Sequence, residues 1–377
     1  MRISRALSTI ILGVGVVSPM IFANAKTRAA ETVFVMSNNA DKNEVIAFTH
    51  SADGSAVVQN HYATGGRGSG GVNDPLESQG SLTLSEDHSL LFAVNAGSGD
   101  ITVFRVNNDA GTLTFADRTS SGGSEPVAIA QHGNLVYVLN QGGAGNVVGL
   151  FVGQNGKLQP IPNSTAFLSA NAVGGSSVAI SPDGQTVAVV ERLTNNIDTF
   201  HVNPDGTLAK VVVDPSPAPG AFSAQFAPDG KLVVSETGPA GQVGASAISS
   251  YSVLTNGNIS PVSQSVHTFG DANCWNAITP NGSFAYVSNA GSSTISGFTI
   301  GTGGVLTPIG PTILASNPAG STNLDIAISA DGKFLYTLNA TVGKIGLFAI
   351  NSDGTLTELP QISGFPAAAG FNGIAAL

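Results

Sequence analysis

Short apolar runs separated by turn residues dominate this chain. Residues 178–180 are apolar, Ser181-Pro182-Asp183-Gly184 follows, and residues 187–190 are apolar again. The same arrangement surrounds Ala227-Pro228-Asp229-Gly230, Thr279-Pro280-Asn281-Gly282 and Ser329-Ala330-Asp331-Gly332. Weaker copies stand at Ser85-Glu86-Asp87-His88 and Gln131-His132-Gly133. Asp-Gly and Asn-Gly supply the left-handed backbone that a tight strand connection needs. The copies recur at roughly 45–52 residues, the period of a small repeated β-unit.

Each unit continues in the same way. A second apolar run appears at 91–95, 136–140, 187–191, 232–236, 285–289 and 335–339. A third ends in an aromatic residue, at 101–104, 197–200, 295–298 and 345–348. A Gly-x-Leu segment opens the fourth, as in Gly111-Thr112-Leu113, Gly156-Lys157-Leu158, Gly206-Thr207-Leu208 and Gly354-Thr355-Leu356. Four short antiparallel strands per unit make one blade of a propeller. Six units begin near residues 80, 126, 176, 223, 275 and 324. The seventh is split, with residues 32–66 carrying its second to fourth strands and 373–377 supplying its first. The pattern therefore predicts an all-β, seven-bladed β-propeller of four-stranded antiparallel blades. The N- and C-terminal segments share one blade and close the ring. A pair of β-sandwiches is the competing arrangement, and it accounts less well for equal units with a split end.

The N-terminus changes the picture of where the protein works. Arg2 and Arg5 precede the apolar run 6–22, and Ala23-Asn24-Ala25 places small residues before a cleavage point. This is the layout of a secretory signal peptide over residues 1–25, and the run is short for a membrane span. The expectation is a secreted or periplasmic protein, a single propeller domain over 26–377, with no membrane insertion after cleavage. An uncleaved anchor is the alternative. The formal net charge is −10, and no cluster of Lys and Arg occurs. Nucleic acid and anionic membranes are thus excluded as partners, and a monomer is expected. Cys274 is the only cysteine, so no intramolecular disulfide holds the ring.

Candidate chemistry follows from the repeat. The last residue of each second run reads Asn38, Asn95, Asn140, Glu191, Glu236, Asn289 and Asn339. Asn at such a place caps turns through side-chain to backbone bonds. Asn95, Asn140, Asn289 and Asn339 are also candidates for ligand binding at a channel mouth. Glu191 and Glu236 break the pattern in adjacent blades, and Arg192 follows the first. Two carboxylates and a guanidinium could serve as a general base and an oxyanion partner, so these three are the catalytic candidates. A surface ion pair is the plain alternative. The loops entering the first strands contribute Glu77, Gln79, Glu125, Ser177, Ser223, Asn276, Asn323, Asp325 and Asn372. Trp275 and Asn276 are the distinctive pair there, with Trp275 either the floor of a ligand pocket or a plug between blades. The six histidines show no metal-ligand spacing, and no phosphate loop or Asp-rich calcium loop is present. No metal and no cofactor are expected.

The turn Ser181-Pro182-Asp183-Gly184, the strand Phe284-Ala285-Tyr286-Val287-Ser288-Asn289 and the strand at 295–298 together resemble the lactonase-type propellers. That family includes bacterial 6-phosphogluconolactonase and fungal 3-carboxymuconate cyclase. The resemblance spans about residues 32–377. It implies hydrolysis or formation of a lactone at one mouth of the central channel, without a metal, by His, Arg and Glu side chains. The His-Pro-His and Gly-Pro-Arg-His signatures of the family are absent here. The expected function is an exported lactonase-like hydrolase or cycloisomerase acting on a small ring compound. The alternative is a non-catalytic scaffold that binds a protein or glycan surface ligand.

Overall fold

The computed structural model describes residues 30–55 and 57–377. The proposed signal segment, residues 1–25, lies outside them. Seven antiparallel sheets follow one another along the chain. Blade 1 holds Leu82–Leu84, Leu90–Asn95, Asp100–Asn107 and Thr112–Ser120, from inside to outside. Blade 2 holds Pro126–His132, Leu135–Asn140, Asn146–Val152 and Leu158–Pro160, with Ala166–Phe167 also paired to its third strand. Blade 3 comprises Gly175–Ile180, Thr186–Glu191, Asn196–His201 and Val212–Pro215. Blade 4 comprises Ala221–Phe226, Leu232–Glu236, Ala247–Val253 and Ile259–His267. Blade 5 runs through Asn273–Ile278, Phe284–Asn289, Thr294–Ile300 and Leu306–Ser316. Blade 6 runs through Asn323–Ile328, Phe334–Asn339, Lys344–Ile350 and Leu356–Ser363.

Blade 7 is the split one. Its inner strand is Ile374–Ala376, which pairs with Glu31–Met36, and Glu44–His50 and Val57–Ala63 complete it. Val33 faces Ala376 and Val35 faces Ile374 in this closure. The innermost strands touch one another in order around the ring, Ile374–Ala376 meeting both Asn323–Ile328 and Leu82–Leu84. No sheet edge is left open between the first and last blades. Among the described residues no helix is long and apolar enough to cross a membrane.

The turn phrase does what its residues dictate. In the blade 3 copy Ser181 Oγ donates to Asp183 Oδ1 at 2.5 Å, and Gly184 takes a φ of +69° while its N–H bonds back to Ser181 O. The strands around it are apolar on both faces because neighbouring blades cover them. Phe34, Phe92, Tyr137, Phe200, Tyr251, Tyr286, Phe298 and Tyr336 are fully buried between blades. Each such ring contributes on the order of 2–3 kcal/mol on leaving water. One register expectation is off by one: the strand Glu31–Met36 ends so that Ser37, and not Asn38, occupies the place of Asn95, with Ser37 N bonded to Glu44 O.

Candidate functional site

The turn phrases lie at the lower end of the ring. The ends of the second strands and the segments entering the first strands lie at the upper end. The upper mouth is filled by the chain's own segment between blade 7 and blade 1. This segment is pinned to the rim where Gly68 N and Gly70 N bond to Asn39 O and Asn38 O. It then crosses the axis. Leu76, Ser78 and Gln79 are buried. Gln79 N donates to Ser176 O of blade 3, and Gln79 Nε2 donates to Asn276 O of blade 5 at 2.7 Å. The same amide nitrogen lies 3.3 Å from Asp325 Oδ1 of blade 6. One residue thus joins blade 3, through its backbone, to blades 5 and 6, through its side chain.

The inner strands of blades 2 to 6 each carry one extra residue near their start: Val127, Ser176, Phe222, Cys274 and Asp325. Such a bulge re-aims a side chain, and bulges gather at working sites. Of these five only Asp325 has a left-handed backbone, with φ at 49°. That conformation costs a non-glycine residue free energy. Asp325 Oδ1 also accepts from Ile326 N at 2.9 Å and Oδ2 from Ile374 N at 3.2 Å. Burial pushes its carboxyl up to about 7, against these hydrogen bonds and with the help of the Asp74 charge. Below it lies a cavity of about 250 Å³ lined by Gln79, Asp325, Thr83, His88, Gln225 and Ile374 among others. No Lys or Arg stands in that lining.

Trp275 and Asn276 meet at this axis. Trp275 is 1% exposed, packs edge-on to Phe222 with centroids 5.2 Å apart, and donates Nε1–H to Ser78 O at 2.9 Å. It holds the plugging segment. Asn276 Nδ2 reaches Ser223 Oγ and Ser235 Oγ, each at 3.1 Å. Above them Asp74 accepts from Asn372 Nδ2 at 3.0 Å, and burial pushes it up to about 7. Arg192 forms an ion pair with Glu77 of the plugging segment. The Cys274 thiol is pushed well up by burial and by the charges of Asp74 and Glu77, so it stays protonated.

The other sequence candidates occupy the seams between blades. Asn95 bonds to Thr64, Asn43, Asp100 and Thr102. Asn140 bonds to Ser121 O and Asn146, Asn289 to Thr294 and Ser296, and Asn339 to Asn317 and Thr337. All four are fully buried. Glu191 and Glu236 sit in the same relation to their own linkers. Glu191 accepts from Ser169 N and Ser169 Oγ at 2.8 and 2.6 Å and from Thr194 Oγ1 at 2.6 Å. Glu236 accepts from Ser216 Oγ, from Ser249 Oγ and, at 3.4 Å, from Tyr251 OH. Both are fully buried, so the expected position at an open mouth is not what the fold provides. No hydrogen bond or ion pair joins Glu191, Arg192 and Glu236 to one another among the described residues.

Their electrostatics differ. Burial pushes Glu236 up to about 7. Burial also works against Glu191, but bonds from Asp198, Ser169 and Thr194 outweigh it and hold the carboxyl below its ordinary value. Asp198 does not stand out in the repeat. Burial, then the bond and charge of Glu191, push it up to about 8. The backbone N–H of Ser169 works against this rise without overcoming it, and two neighbouring buried carboxyls favour sharing one proton. Among the described residues no group of three His, Cys, Asp or Glu could hold a metal.

A closed ring of seven four-stranded blades around a narrow axial cavity defines a seven-bladed β-propeller. The sequence profile of the family described as "Lactonase, 7-bladed beta-propeller" matches residues 42–173 and 213–365, and the chain belongs to that family. It is similar to a Bacteroides fragilis protein assigned as a 6-phosphogluconolactonase, at 16% identity and a TM-score of 0.67, over 94% of this chain and 99% of the other. It is also similar to the periplasmic gluconolactonase of Pseudomonas aeruginosa, at 17% identity and a TM-score of 0.64, over 91% of this chain and 99% of that one. These likenesses establish the fold. No curated protein matches the sequence.

Proposed function

We propose that this protein is an exported lactonase that hydrolyses a small uncharged lactone in the axial cavity, with Asp325 as general base. The carrying observation is a buried, left-handed carboxylate, pushed up to about 7, at the closed end of a polar cavity. A base of that strength is half ionised at neutral pH, where proton transfer is most effective. Asp325 takes a proton from water as the water oxygen bonds to the lactone carbonyl carbon. The ring C–O bond then breaks, and the leaving oxygen receives that proton, giving a hydroxy acid. The Gln79 amide stays anchored on Asn276 O at 2.7 Å, and its second N–H, only loosely engaged by Asp325 at 3.3 Å, is offered to the carbonyl oxygen. A neutral sugar lactone suits a lining without cations better than a phosphorylated one. The signal-like N-terminus and the likeness to a periplasmic gluconolactonase agree with an exported site.

The second reading assigns the acid–base work to Glu191, Arg192 and Glu236, and the Glu236 carboxyl near 7 favours it. One experiment separates the readings. Protein beginning at Lys26 is assayed on glucono-δ-lactone and its 6-phosphate, beside Asp325→Asn and a Glu191→Gln/Glu236→Gln double variant. Turnover of the neutral lactone should fall at least ~100-fold in Asp325→Asn and only a few-fold in the double variant. Collapse of a folded double variant with Asp325→Asn active transfers the chemistry to the glutamates. No turnover across a wider lactone panel leaves the fold as a ligand-binding scaffold.

A further inference from the structure

Clefts open between neighbouring blades on the lower face, away from the plugged mouth. Those between blades 1 and 2 and between blades 5 and 6 measure about 260 and 380 Å³. The cleft between blades 3 and 4 measures about 600 Å³, larger than the axial cavity.

The repeat also differs at this seam. In blades 2 and 5 the third residue of the second strand is a tyrosine set across from a glycine: Tyr137 against Gly149 and Tyr286 against Gly297. Each tyrosine reaches the turn of the next blade, Tyr137 OH bonding to Gly206 O at 3.0 Å and Tyr286 OH to Gly354 O at 2.8 Å. Blade 3 places Ala188 across from Thr199 instead. Thr199 Oγ1 makes the bond to the next turn, at Gly257 O, and no ring fills the seam. Thr199 and Gly257 both line the cleft.

The walls differ in chemistry as well. The two smaller clefts carry acidic side chains and no cation: Glu86 and Asp87 in one, Asp331 in the other. The large cleft shares the repeat's turn aspartate, Asp183, which is occupied by Ser181 and by Gln185 N. It adds Lys210 and His201 beside Phe200, Phe226, Val212 and Leu254. Neither Lys210 nor His201 has a side-chain partner among the described residues. Apolar walls with an unpaired cation at the rim match a ring-bearing carboxylate: the ring leaves water against the phenylalanines, and the carboxylate meets the ammonium. We propose that the cleft between blades 3 and 4 is a binding site for a small organic anion with an apolar ring, separate from the axial site.

Phenylacetate is the probe, with phenylacetamide as its uncharged counterpart, titrated into the mature protein and followed by calorimetry and saturation-transfer NMR. Phenylacetate should bind with a Kd in the millimolar range or below, and the amide about tenfold more weakly. Lys210→Met should cost phenylacetate about tenfold and leave the amide unchanged. Ala188→Tyr/Thr199→Gly transplants the tyrosine–glycine pair of blades 2 and 5, and it should abolish binding with the melting temperature retained. Should that variant fail to fold, Lys210→Glu reads the same site from its surface. No binding of phenylacetate at ten millimolar overturns the proposal. Equal binding of acid and amide overturns it too, as does a folded transplant or a Lys210 variant that binds like the wild type.

Discussion

The seams between blades and the axis of the ring use polar residues in opposite ways. At the seams one position is repeated. Asn95, Asn140, Asn289 and Asn339 each tie a second strand to its own blade or to the linker entering it, and Glu191 and Glu236 tie their linkers likewise. At the axis the residues come from different blades and different types: Gln79, Ser78, Trp275, Asn276, Asp325 and Asn372. A residue that breaks a repeat has usually traded one way of closing a seam for another. Unlike residues from distant blades converge at the axis, and the proposed site lies there. Glu191 shows the trade clearly. A carboxylate replaces an amide, and a second acid, Asp198, brings the proton that lets both stay buried.

Removing residues 373–377 is the severest way to break this contrast. It takes away the inner strand of blade 7 and the Ile374 N–H that Asp325 accepts. Soluble expression should be lost, and a stable monomeric truncation would refute the closure. Next in size is the seam itself. Glu191→Ala leaves Asp198 without its partner and frees Ser169 and Thr194, which should cost about 3 kcal/mol in chemical denaturation. Turnover per folded molecule should hold. A larger loss of turnover than of stability would make the seam catalytic and dissolve the distinction.

The smallest effect is in pH, and it has two signs. Asp198, Glu236, Asp74 and Asp325 all bind protons more tightly folded than unfolded, with folded values of about 8, 7, 7 and 7. Their stabilising contribution is complete below the ordinary carboxylate range and is lost as pH rises through 7 to 8. The melting temperature should therefore fall between pH 5 and pH 9, and Asp198→Asn should flatten the fall. Activity should move the other way, rising through about pH 7 as Asp325 becomes a base. A falling activity profile would argue for an acid at the axis.

The ring was legible because its signal is repeated. Asp-Gly turns, aromatic third strands and Gly-x-Leu openings each occur several times, and the split blade followed from what was missing at either end. The axis was only half legible. Gln79, Asn276, Asp325 and Asn372 were recognisable as residues entering inner strands. Nothing in the Gly-rich stretch around Asp74-Pro75 announces a segment that crosses the channel, because it has no period and its partners are distant in sequence. Bulges are equally silent: an extra residue in 323–328 turns Asp325 without altering the composition of the strand. Asp198 hid for another reason. An acid inside an alternating strand reads as a solvent-facing position, and only the packing of blade 3 against its linker buries it.

The plugging segment also sets the traffic of the channel. With Ser78 and Gln79 buried across the upper end, the axial cavity is a cul-de-sac. In the proposed reaction, a substrate that enters from below leaves as product by the same door, past the same walls. On that proposal each turnover waits for the previous hydroxy acid to clear. The acidic character of the protein, −10 overall, favours the departure of a product that has just acquired a negative charge.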